Sequence, residues 1–65
     1  PQLTPRQKEI LDSMVRGLSN PDIAAQLGIR RDGVKQHINA ILSKIGASNR
    51  TEAVAIALRK HLLKI

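Results

Sequence analysis

The chain has 65 residues, with 11 Lys and Arg against 5 Asp and Glu, a net charge of +6, and no Cys, Trp, Tyr or Phe. Those figures exclude a disulfide framework, a Cys-based zinc site, a thiol nucleophile and the aromatic platforms on which single-stranded nucleic acid is usually read. One small domain over residues 1–65 is expected, burying roughly 60% of the surface its unfolded chain exposes and too small for a large enclosed pocket of the enzyme kind.

Four helices are predicted, with no strand, because no segment keeps a period of two. The first runs from Pro5 to Arg16. Thr4 is its N-cap, Pro5 fills the first helical position, where a missing N–H costs nothing, and Gln7 completes a capping box. Ile10, Leu11, Met14, Val15 and Leu18 make one apolar stripe, and Gly17 ends the helix. The second helix is short, Pro21 to Leu27. Asn20 caps it, with Ser19 and Asp22 as an alternative box, Ile23, Ala24 and Leu27 face inward, and Gly28 stops it. The third runs from Arg31 to Ile45. Val34, Ile38, Ile41, Leu42 and Ile45 face inward, Arg31, Lys35, Gln36, Asn39 and Ser43 face solvent, and Gly46 ends it. The fourth runs from Arg50 to Leu63, capped by Asn49 with Glu52 closing the box. Its apolar residues Ala53, Val54, Ala55, Ile56, Ala57 and Leu58 cover nearly the whole circumference. One face is expected on the first and third helices. The other, around Val54, Leu58, His61, Leu62 and Ile65, suits a second copy.

The charge is uneven. Residues 1–29 are neutral; residues 30–50 hold Arg30, Arg31, Lys35, Lys44 and Arg50 against Asp32 alone; residues 51–65 hold Arg59, Lys60 and Lys64 against Glu52. A basic segment of this kind favours a polyanion, nucleic acid before an anionic membrane surface, although a merely solvated surface has the same composition. No apolar run of about 18 residues and no signal-peptide pattern is present, so no membrane span is expected. The chain begins with Pro and not Met, so a fragment of a longer protein is expected, and the missing cysteines fit a cytoplasmic origin.

Helix two, the Gly28-Ile29 turn and helix three form a helix-turn-helix pattern. Ala24 lets the helices approach, Gly28 allows the sharp turn, and Ile29 and Val34 plug the angle between them. The second helix of such a unit lies in the major groove with its N-terminal residues at base edges. Arg31, Lys35, Gln36 and Asn39 are apt there, since Arg and Lys pair with guanine, and Gln and Asn with adenine. Arg16, Lys44 and Arg50 are candidate phosphate contacts, as are the backbone amides near Asn20.

Residues 3–58 resemble the LuxR-type helix-turn-helix domain, also found at the C-terminus of NarL/FixJ-type response regulators. The resemblance is carried by Leu3-Thr4-Pro5-Arg6-Gln7 with Ile10-Leu11, by Gly17-Leu18-Ser19-Asn20 before Ile23-Ala24, by Leu27-Gly28-Ile29, by Val34-Lys35-Gln36-His37 with Ile41 and Lys44, and by Arg50 before Ala53-Val54. It implies an all-α, four-helix LuxR-type helix-turn-helix bundle that regulates transcription as a dimer on an inverted repeat, with RNA polymerase a further candidate partner. It also implies that the last helix carries the dimer contact through Val54, Leu58, His61 and Leu62. On the same resemblance Lys35 matches a DNA-contacting position, Gln36 and Asn39 match groove-facing ones, and His37 matches the family's common histidine, beside the DNA backbone. The chain departs from the family at two places. Arg30 replaces the usual Ser or Thr cap of the recognition helix, at a cost of order 1 kcal/mol, partly offset by Asp32 in the first turn. Gly33 replaces the usual Thr.

No Ser-His-Asp arrangement, phosphate-cradling Gly loop or carboxylate pair stands out, and two histidines without Cys make a poor metal site, so neither an enzyme nor a cofactor is expected. Rival readings are the promoter-recognising fourth region of a sigma factor and a protein-interaction module using the apolar last helix. The Asn49-Arg50 to Val54 element after helix three favours the LuxR-type reading over the first.

Overall fold

A computed structural model of the protein describes residues 2–60. Four helices follow in chain order: α1 (Pro5–Val15), α2 (Asn20–Leu27), α3 (Arg31–Ile45) and α4 (Arg50–Arg59), with no strand among the described residues. α3 packs against the other three helices, and α1 also packs against α4.

Local chemistry accounts for each boundary. The Thr4 hydroxyl accepts the Gln7 N–H at 3.1 Å, and Gln7 Oε1 accepts the Thr4 N–H at 3.0 Å, a complete capping box. α1 stops at Val15, with Arg16 as its C-cap rather than its last helical residue. α2 starts one residue earlier than expected. Ser19 is its cap, accepting the Asp22 N–H at 3.3 Å, and Asn20 is the first helical residue. Of the two capping arrangements open in the sequence, the Ser19 one forms because Asn20 turns its side chain to another partner. At the end of α2, Gly28 takes the left-handed conformation (φ 66°), which lets the Ile29 N–H reach back to the Ala24 carbonyl at 3.0 Å. A side chain at Gly28 would strain this turn, which sets the angle between α2 and α3. Arg30 makes no side-chain cap, as its lack of an acceptor requires. Asn49 caps α4 by accepting the Glu52 N–H at 2.8 Å, but the Glu52 carboxylate accepts the Ser48 N–H at 2.9 Å, so the expected reciprocal box is half formed. α4 is Arg50–Arg59 with Lys60 as its C-cap, and the expected end at Leu63 lies outside the described residues. His61, Leu62 and Ile65, expected on its outer face, lie outside the described residues.

The core joins residues of the predicted inner stripes of three helices, Ile10, Leu11 and Met14 from α1, Ile23 and Ala24 from α2, and Val34, Ile38 and Ile41 from α3, to Ala53, Ile56 and Ala57, which form the inner face of α4. Each fully buried Ile, Leu or Val contributes about 1.5–3 kcal/mol. Leu18, Leu27, Ile29, Leu42 and Ile45 seal the rim. Val54 is half-buried against this core. Of the outer-face residues that are described, Val54 is thus partly covered, and Leu58, 50% exposed, is the one large exposed hydrophobic residue.

Candidate nucleic-acid interface

The tripod of α1, α2 and α4 fixes α3 by its inner face and leaves the opposite face open. Val34, Ile38 and Ile41 are buried, while Arg31, Asp32, Lys35, Gln36, Asn39 and Ser43 are exposed. None of these exposed residues is hydrophobic, and the half-buried Ala40 lies beside them. Asp32, Lys35, Gln36, Asn39 and Ser43 fall within about 100° of arc, so one flat or grooved partner can meet all of them. His37 and Gly33 lie at the edge of this face and are half-buried. Arg30, in extended conformation, and Arg31 put two exposed cations at the start of the helix.

The sequence-predicted DNA contacts separate into two groups. Arg30, Arg31 and Lys35 are exposed. Lys44, Arg50 and Asn20 instead have partners inside the fold. Lys44 Nζ donates to Gln7 Oε1 at 2.9 Å and to the Gln2 carbonyl at 3.1 Å, joining the last turn of α3 to the start of α1. Gln7, buried on α1, thus accepts both from its own cap and from Lys44. Arg50 Nη1 donates to Asn20 Oδ1 at 2.6 Å and its Nη2 to the Leu18 carbonyl, joining the first turn of α4 to the α1–α2 loop. Two residues singled out as separate phosphate contacts are therefore each other's partner. At the start of α2, Pro21 has no N–H, the Asp22 N–H goes to the Ser19 hydroxyl and the Ile23 N–H to the Ser19 carbonyl, which leaves only the Asn20 amide for an outside anion. Arg16 pairs with Asp12 across one turn at 3.1 Å on the surface.

These two bridges were not read from the sequence, yet each left a signal. Arg50 stands in the first turn of α4, where the helix dipole disfavours a cation, which points to a compensating partner. Gln7 lies on the inner side of α1, where a buried amide must find partners.

Among the described residues no group of three or more His, Asp or Glu could hold a metal ion, and no helix is long and apolar enough to cross a membrane. What remains is two helices joined by a left-handed glycine turn, the second helix with only polar or charged residues exposed and rich in cations at its start. This is a helix-turn-helix unit, the class of domain that reads duplex DNA.

The model of the bacterial regulatory proteins of the luxR family matches residues 1–57, and the chain belongs to that family. The chain is 41% identical over 64 residues to the transcriptional regulatory protein YdfI of Bacillus subtilis, covering 98% of this chain and 30% of that protein. It is 41% identical over 63 residues to the probable transcriptional regulatory protein NarL of Mycobacterium tuberculosis, covering 97% and 29%. Among solved structures, the response regulator ChrA of a heme-sensing two-component system superposes with a TM-score of 0.91 at 41% identity, over 97% of this chain and 31% of that one. The transcription factor GerE superposes with a TM-score of 0.86 at 39% identity, over 95% and 92%. The chain thus spans less than a third of the length of the two regulatory proteins it resembles in sequence. It is the DNA-binding domain of a luxR-family transcriptional regulator, and that family is not a class of enzymes.

Proposed function

We propose that this domain binds duplex DNA sequence-specifically, with α3 in the major groove and two copies on an inverted repeat. The observation that carries the reading is that every exposed residue of α3 is polar or charged, opposite the buried Val34, Ile38 and Ile41. Lys35, Gln36 and Asn39 are assigned to base edges and His37 to the flank of the backbone contact, while Arg31, expected at base edges from the sequence but set beside that arc of α3, is assigned with Arg30 to phosphates. Lys44, Arg50 and Asn20 are assigned to holding the helices in place, since their polar atoms have internal partners. Leu58, with Val54 beside it, is assigned to the dimer contact; its 50% exposure in a single copy supports this.

The chain acts, in this reading, as the output segment of a longer response regulator. The likeness to ChrA supports it, as does the small share of the regulatory relatives that the chain spans. Contact with RNA polymerase belongs to the same proposal.

The test is titration of randomised duplex at two salt concentrations, followed by sequencing of the bound pool. Binding should weaken as salt rises, with each phosphate contact adding about 0.9 to the log–log slope, and the pool should enrich an inverted repeat. Lys35→Ala should weaken binding about fivefold or more. Absence of duplex binding at low salt contradicts the proposal and favours a protein-interaction module.

A further inference from the structure

Asp32 is the one acidic side chain on the outer stripe of α3. Lys35, Gln36, Asn39 and Ser43 follow it at the spacing of a single helix face, and all five are exposed. By helical geometry Arg31 and Gly33 flank this stripe rather than lie on it. Asp32 has no ion-pair partner among the described residues, where the one ion pair joins Arg16 and Asp12. It also lies in the first turn of α3, the part of a second helix that a helix-turn-helix unit presents to base edges. An unpaired anion in that place meets a surface lined with phosphates, so it opposes binding unless a base donates to it.

We propose that Asp32 reads cytosine: its carboxylate accepts a hydrogen bond from the N4 amino group of one cytosine in the major groove and so sets one position of each half-site. The proposal rests on the reading of α3 as the groove helix. The base edges decide the choice. Guanine offers N7 and O6, and thymine O4, all acceptors that turn lone pairs toward a carboxylate. Adenine places its N6 donor beside the N7 acceptor. Cytosine alone offers a donor with no acceptor next to it on its own edge. Gly33 sharpens the effect, because it adds no side chain beside Asp32. A Cβ there would meet only Ile29 Cδ1, at 3.9 Å, so packing does not require glycine and the first turn is left open to a close partner. Asp32 also favours the start of α3 through the helix dipole. That contribution is indifferent to which base lies opposite, and the two roles separate by experiment.

The 65-residue chain and its Asp32→Ala and Asp32→Asn variants are each selected against randomised duplex at low salt, and the bound pools sequenced, with circular dichroism confirming helix content. The parent pool should hold one cytosine-dominated position in each half-site. In Asp32→Ala the cytosine preference at that position should fall about five- to tenfold, the lower range for one good side-chain–base pair. The other positions should keep their preferences, and affinity for unselected duplex should not fall. Asp32→Asn should move the same position toward adenine, which an amide pairs well. The inference is overturned if all three pools share the same cytosine preference, or if the parent motif has no such position; the groove reading then stands on the rest of the motif. A parent pool with no enriched motif overturns the groove reading, and this inference with it.

Discussion

Cations in this chain divide by what their donors touch, and that division is made residue by residue. Arg50 has two internal acceptors, Asn20 Oδ1 and the Leu18 carbonyl, so Arg50→Ala should lower stability by about 1–2 kcal/mol, the range for hydrogen bonds to a charged group in a half-exposed setting. Urea unfolding reads that loss, and the salt slope of DNA binding should stay unchanged in the same variant. Arg31→Ala should do the reverse. Its exposed guanidinium has no cap or bridge to lose, so stability should hold while the salt slope falls by about one phosphate contact. Net charge and its distribution were legible from composition, and they point correctly to a polyanion partner. Which cation serves the fold was not, because Lys44 and Arg50 meet partners that only the packing of α1 and α4 brings within reach.

Within single elements, the start of α3 is the weak point. Three of the four helices begin with a side-chain cap, from Thr4, Ser19 and Asn49, and α3 has none. Arg30→Ser should therefore add about 1 kcal/mol of stability. Gly33→Ala should add about 0.5–1 kcal/mol, since the new methyl meets nothing closer than 3.9 Å and the backbone there is ordinary helix. Thermal or urea unfolding of the two variants, singly and together, checks both. The Arg30 variant should also bind DNA more weakly, having exchanged a phosphate-facing cation for a cap, and that opposition between stability and function is a common one. Helix limits were legible to within a residue for α1, α2 and α3 because caps, Pro and Gly are local signals. The Glu52 carboxylate was the exception. Asn49 adopts φ −158° and ψ 175°, and the carboxylate bonds the Ser48 N–H instead of closing the box.

At the scale of the whole molecule, a core this small leaves little reserve. Ile41 is wholly buried where α3 meets the other helices, and Ile41→Ala should cost about 2–5 kcal/mol, a large part of the 5–15 kcal/mol typical of a domain; loss of the cooperative thermal transition would show it. The inner stripes of α1, α2 and α3 were legible from periodicity; in α4, where apolar residues run round most of the helix, the sequence singled out no inner stripe, and Val54, read onto the outer face, is half-buried against the core while Leu58 is exposed. Leu58→Lys should leave stability within about 0.5 kcal/mol, as an exposed substitution does, while reducing the fraction of two-copy complexes on an inverted repeat in sedimentation experiments. The central claim, that α3 meets the DNA, is tested most directly by nuclear magnetic resonance of the isotope-labelled chain during titration with duplex. The largest shift changes should fall on Arg30 to Ser43, with the side-chain amides of Gln36 and Asn39 among them. Changes centred on α4, with those side chains unmoved, would contradict it.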